Sequence, residues 1–134
     1  MVKNFILCGT VFFLLGCAGA APKSDSASSG AASSENQVSA RAEARWQALI
    51  AKDLDKAYEF LSQGSKSAYT LQLYKGMIRP LDWLSGKALS ASCEGEKCSV
   101  KVQITFFHRR AGGEMGTVLT ETWVKDAGNW WYVF

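Results

Sequence analysis

The spacing of apolar residues divides this chain into stretches with different periods. Phe5 to Leu15 is a short, mostly apolar run, and Ala18 to Gln37 is small and polar with no period and no aromatic. Val38, Ala42, Trp46, Leu49 and Ile50 then recur at intervals of three and four. That spacing puts them on one stripe of a helix, with Arg41, Glu43, Arg45 and Lys52 elsewhere. Asp53 can cap a second helix through Leu54, Ala57, Tyr58 and Leu61, ended by Gly64. Thr70 can cap a third through Leu71, Leu73, Tyr74, Met77 and Ile78; Arg79-Pro80 closes it, because the residue before proline avoids helical angles. Beyond Trp83 the period falls to two. Val100, Val102, Ile104 and Phe106 alternate with Lys101, Gln103, Thr105 and Phe107, the signature of a strand buried on one face. Trp83 to Ser92, Thr117 to Lys125 and Trp130 to Phe134 read as three further strands. Turn formers at Arg110-Ala111-Gly112-Gly113 and Asp126-Ala127-Gly128-Asn129 predict hairpins between neighbours. Helices first and strands later imply an α+β domain, three N-terminal helices packed on one face of a four-stranded antiparallel sheet.

The first run has 11 residues behind Lys3. A membrane span needs ~20 apolar residues, whereas the apolar centre of a secretory signal has about 7–15. Residues 1–16 therefore read as a signal peptide. Leu14-Leu15-Gly16-Cys17 resembles the lipobox of bacterial lipoproteins. That resemblance implies diacylglycerol on the Cys17 thiol, cleavage just before it and acylation of the new amine; the alternative is ordinary cleavage near Ala20-Ala21. Cys8 lies inside the removed segment as an apolar filler. Each buried methylene contributes about 0.8 kcal/mol, so two or three acyl chains hold a protein to the membrane. Ala18, where inner-membrane lipoproteins of enteric-type bacteria tend to carry Asp, implies the outer membrane facing the periplasm in a Gram-negative host.

Composition narrows the range of partners. Lys3 is the one basic residue removed with the signal, leaving 14 basic against 12 acidic residues and a net charge of +2. Nucleic-acid binders usually show a domain pI above about 9 and a clustered basic face, so nucleic acid is set aside. Residues 18–37 cannot bury enough surface to fold, and with Cys17 they read as a lipidated tether, 17–37, with a span of ~25 Å. The folded domain is 38–134, enough for one modest core.

The chain from about 41 to 134 resembles the superfamily that includes nuclear transport factor two and ketosteroid isomerase. The likeness rests on the helical stretch from Arg45 to Tyr58 and on the closing stretch from Glu121 to Tyr132, where Trp123 and Trp130 flank a turn. It implies a cone, a curved sheet wrapped around helices with an apolar pocket between them. The family usually places a strand or hairpin between its second and third helices, and Gln63 to Tyr69 is too short for one. Activity cannot be inherited from the fold.

Few residues carry chemistry. Ketosteroid isomerase works with an Asp base and an oxyanion site of Tyr and protonated Asp, and no such set aligns. His108, the single histidine, sits beside Arg109 and Arg110 at a hairpin end, where a solvated turn residue is the plain alternative to a general base. Glu121 shares a strand face with Leu119 and Trp123, so it is either a pocket carboxylate or, if that face looks outward, a wet one. No phosphate loop, nucleophile elbow or metal-spaced cluster occurs, and no cofactor is implied. Cys93 and Cys98 remain as an even pair in an oxidising compartment, with Glu94-Gly95-Glu96-Lys97 between two strands, and predict a disulfide. The aromatic surplus of the last hairpin is the remaining signal. Trp130 and Trp131 point to opposite faces, so Trp123, Trp130, Trp131 and Tyr132 are candidates for a binding surface as well as for core.

Together these features point to a lipid-anchored envelope protein that binds a protein partner, a second copy or a small apolar ligand without catalysis. The alternatives are a small isomerase-like or hydrolase-like enzyme using the cone pocket, and a structural spacer.

Overall fold

In the computed structural model of the protein, residues 26–78 and 82–134 are described. Cys17 and the expected signal peptide lie outside them. Four helices, α1 (Ser26–Ile50), α2 (Leu54–Glu59), α3 (Gln63–Ala68) and α4 (Leu71–Met77), precede four strands, β1 (Asp82–Glu94), β2 (Lys97–His108), β3 (Gly113–Asp126) and β4 (Asn129–Val133). The strands form an open antiparallel sheet in sequence order, as the hairpin signals require.

Two expectations for the helices change. The helix count among the described residues is four, because Gln63 to Ala68 is helical where a connection was expected. Gly64 does not end α2: that helix stops at Glu59, and Ser62 starts α3 by accepting a hydrogen bond on its Oγ from the Ser65 amide at 3.2 Å. The second change concerns the expected tether, which is helical from Ser26 onward. Once Val38 to Ile50 is fixed by packing, each residue added at its N-terminal end gains one backbone bond, and Ala, Ser, Glu and Gln tolerate the geometry. Most of residues 29–37 remain exposed, so this extension adds length and no core. The caps expected at Asp53 and Thr70 are formed, to the amides of Lys56 at 3.1 Å and Leu73 at 3.3 Å.

Val38, Ala42, Trp46 and Leu49 turn inward as their spacing predicts, and Arg45 joins them at 3% exposure, a correction to its expected place off the stripe. Helix α1 lies along β1 and β2. The approach is so close that a Cβ on Gly86 would stand 2.5 Å from the Cβ of Trp46, which explains glycine in mid-strand. Cys98, Val100, Val102 and Ile104 supply the sheet side of the core, and Trp123 and Trp130 close it. Cys93 and Cys98 face each other across the first hairpin, Cα atoms 4.1 Å apart, and are joined by a disulfide.

The sheet's edges are treated differently. Strand β1 carries two register shifts, at Trp83/Ser85 and Ala88/Ser90, which leave Leu84 and Leu89 as extra residues, and its Ala88 amide donates to Glu43 of α1 at 3.0 Å. Strand β4 is covered by the chain between α2 and α3. The Tyr132 amide donates to the Phe60 carbonyl at 2.8 Å, and the Ser62 amide donates to the Tyr132 carbonyl at 2.7 Å. Because β4 pairs only with Thr122 to Asp126, the first half of β3, Gly113 to Glu121, has β2 on one side and, among the described residues, an open edge on the other.

Candidate functional site

The polar group at the centre of the core is Glu121. Val100 and Glu121 are register partners, so the Glu121 side chain shares the helix-facing side of the sheet with Val100, Val102 and Ile104. Its Oε1 accepts from Arg45 Nη1 and from Trp46 Nε1, both at 2.8 Å, and its Oε2 accepts from Trp123 Nε1 at 3.0 Å. Both ions are almost fully enclosed, at 4% side-chain exposure each. The Arg45 guanidinium also lies 3.8 Å over the Tyr132 ring. Charge, hydrogen bonds and aromatic faces thus replace the water that these groups lose on folding.

Around this pair the aromatics interlock. Tyr74 packs on Tyr58 at 5.5 Å and on Phe134 at 5.1 Å between centroids, and Tyr132 packs on Trp123 at 5.7 Å. The Tyr74 hydroxyl and Arg45 Nε are buried without a hydrogen-bond partner among the described residues. Burial raises the pKa of Tyr74 above the ordinary 10.0; Arg45 pulls against this and Glu121 adds to it. Burial also raises Tyr132, with Arg45 pulling against it and Glu121 and Tyr74 adding to it. Arg45 therefore stands near enough to Tyr74 to act on its phenol without making a well-formed hydrogen bond to it.

The sequence candidates are dispersed. Glu121 faces inward, so the wet reading of it fails, and its oxygens are already bound by three donors. His108 is exposed in the second hairpin, its Nδ1 accepting from the Ala111 amide at 3.1 Å. Trp123 and Trp130, at 0% and 1% exposure, belong to the core and offer no surface, a correction to their candidacy. Their inward-pointing β positions put them under the helices. Trp131 and Tyr132 are half-buried. Trp131 is held by its Nε1, which donates to the Asp126 carbonyl at 3.0 Å, and by Arg41, whose guanidinium sits 5.0 Å from both the Trp131 and Phe60 rings.

Three surface depressions are described. One of ≈ 340 Å³ lies between Trp131 and Lys66, one of ≈ 470 Å³ lies beside Arg41 and Trp130, and one of ≈ 280 Å³ lies at the disulfide hairpin. None is lined by Glu121 or His108. Among the described residues no three His, Cys, Asp or Glu side chains gather to hold a metal, and no helix is long and apolar enough to cross a membrane.

What the sequence reading missed is the other end of the sheet. Phe107, Met115, Val118 and Leu119 are 40–51% exposed, and Leu84 and Leu89 are similarly open on β1. Met115 and Leu119 stand opposite Phe106 and Val102, on the same face as the core. Val102 is fully buried while Leu119 is 43% exposed, so the helical cover ends within one strand spacing, about 4.8 Å. A period-two reading from Met115 through Thr117 to Leu119 shows the strand, but nothing local to β3 reveals that its face lacks a cover.

The fold and its centre therefore define an α+β domain built around a buried carboxylate–guanidinium pair. No family model matches the chain, and no curated protein matches it. Among solved structures it is similar to a SEC-C motif containing protein from Rhodopseudomonas palustris, with a TM-score of 0.56 and 20% identity over 67% of this chain and 70% of that one. At that identity the likeness shows the fold of the shared region and says nothing of activity.

Proposed function

We propose that this is a lipid-anchored, non-catalytic binding domain of the cell envelope that works through the uncovered half of its sheet. The observation that carries the binding reading is that Met115 and Leu119, 45% and 43% exposed on the core side of the sheet, stand beside a strand edge that no described residue pairs with, with Val118 and Phe107 open on the other face. Exposed apolar patches of this kind mark interaction sites more often than single exposed residues do. Glu121 gives no support to catalysis at the core, since a general acid or base must reach its substrate, and this carboxylate is 4% exposed and lines none of the described depressions. The anchor rests on Leu14-Leu15-Gly16-Cys17, and the outer-membrane address rests on Ala18. Kinship with the cone-like superfamily of nuclear transport factor two and ketosteroid isomerase rests on element order and the closing Trp-turn-Trp hairpin; α3 stands where that family usually has a strand or hairpin.

A photo-crosslinking residue at Met115, compared with one at Lys101, tests the binding site in the native envelope. Lys101 is exposed and one residue out of phase with Val100 and Val102, on the opposite face. Discrete adducts from position 115 and none from 101 are expected; none from either refutes the reading. Membrane fractionation of Cys17→Ser tests the anchor separately, since a variant that stays with membranes overturns it.

A further inference from the structure

We infer that the open edge of β3 is a self-pairing surface, where a second copy of this chain adds its own β3 antiparallel to Gly113 to Thr120. The inference rests on the binding reading above and names its partner. Three observations carry it. The first is that the other edges are protected: β1 by two bulges and the Glu43 carboxylate, β4 by Phe60 to Ser62. Proteins blunt exposed edges because unpaired backbone groups recruit other strands, and from Gly113 to Thr120 β3 has no bulge and, among the described residues, no covering chain. Its pairing with β2 runs without a register shift from Lys97 to His108, and every residue from Glu114 to Thr120 is exposed.

The second observation is the side-chain pattern, which is complementary to its own reverse. A two-fold axis through Thr117 sets Thr117 against the partner's Thr117 and Met115 against the partner's Leu119. It also sets Gly116 against the partner's Val118. Residues opposed in an antiparallel pair share a face, so Met115 and Leu119 of both copies meet on the side that, among the described residues, lacks a helical cover there. Gly116 leaves room for Val118 on the other face. A closed two-fold contact of this kind uses one patch twice and stops at two copies.

The third is charge. Glu114 is the one ionic residue between Gly113 and Thr120. In this register it faces the partner's Thr120, and the two Glu114 side chains are about 20 Å apart, six residues at ~3.4 Å each, beyond the ~8 Å screening length at physiological salt. Repulsion does not oppose the pairing.

Cysteine crosslinking of the full chain in the envelope tests the pairing, with wild type as the baseline for its own cysteines. Thr117 and Thr120 are both exposed edge positions, so neither substitution disturbs the core. Thr117→Cys should give a reducible dimer at least tenfold above Thr120→Cys, because only position 117 meets itself across the axis. Adding Leu119→Lys should cut that yield at least tenfold. The proposal is overturned if Thr117→Cys gives no more dimer than Thr120→Cys, or if Leu119→Lys leaves the yield unchanged. Adducts from a photo-crosslinker at Met115 with a different protein, beside a monomeric Thr117→Cys, overturn self-pairing and leave the binding reading standing.

Discussion

Leu119 and Glu121 are two residues apart on the same strand and point to the same side of the sheet, yet their surroundings are opposite. The apolar one is 43% exposed and the ionised one is 4% exposed. Sequence alone ranks them the other way round, since carboxylates are almost never buried unless paired. The difference lies in what crosses the strand at each point. At Glu121 helix α1 brings Arg45 and Trp46, and pairing with β4 sets in at the next residue, Thr122. At Leu119 neither reaches. Strand β3 is thus half core element and half edge: its covered half holds the fold, and its other half leaves Met115, Val118 and Leu119 exposed.

The sharpest way to break the comparison is to remove a partner from the covered half. Arg45→Ala leaves a buried carboxylate with no counter-charge, which costs about 3–5 kcal/mol. Whole domains hold only about 5–15 kcal/mol, so urea unfolding should show a variant near the limit of stability. Replacing both ions, as in Arg45→Met with Glu121→Leu, should recover most of the loss, because an apolar pair of similar volume often matches a buried ion pair. If Arg45→Ala unfolds like wild type, the pair does not hold the core.

How much of the molecule was legible in its sequence divides along the same line. The α+β class, four strands, two hairpin turns, the Asp53 and Thr70 caps and the Cys93–Cys98 bond were readable because each is set by local periodicity or turn chemistry. Ala127 and Gly128, at φ of 48° and 80°, fill the two positive-φ places of a tight hairpin turn where the sequence predicts one. Helix α3 was not readable, since Gly64 looks like a terminator and only the Ser62 cap, held against β4, makes it a start. Arg45 does carry a local signal: Val38, Ala42, Arg45 and Leu49 are spaced four, three and four, a core stripe with a charge in it. The inward placement of Trp123 and Trp130 and the exposure of Leu119 depend on which strands α1 covers, a tertiary fact with no local trace.

The disulfide has a smaller effect. Cys93→Ala with Cys98→Ala should lower stability by ~2 kcal/mol in the chain-entropy model, because the closed loop is short, and leave a folded domain. Denaturant midpoints with an unchanged slope would show it. Loss of all structure would mean that the hairpin depends on the bond.

Alkaline pH probes the centre without mutation. Tyr74 and Tyr132 have pKa values raised by burial, so the folded state holds their protons more tightly than the unfolded chain does. Their contribution is fully present below the unfolded value of 10.0 and is lost as pH rises through the folded values. Stability should fall above about pH 10 along with the rise of tyrosinate absorbance, and Tyr74→Phe should blunt the fall. A profile unaffected by Tyr74→Phe would place that phenol outside the coupled cluster.

The smallest expected change in the isolated fold comes from Leu119→Thr. The side chain is nearly half exposed, threonine suits a strand, and no hydrogen bond or charge is removed, so the unfolding free energy at high dilution should stay within about 0.5 kcal/mol of wild type. Concentration makes the measurement informative. If two copies pair through β3, binding stabilises the native state by mass action, and the wild-type transition should move to higher denaturant as protein concentration rises. Leu119→Thr should lose most of that dependence while keeping its stability at dilution. The same dependence in both proteins would place the contact elsewhere. A loss of several kcal/mol at every concentration would mean that Leu119 belongs to the core after all, and that β3 is one element rather than two.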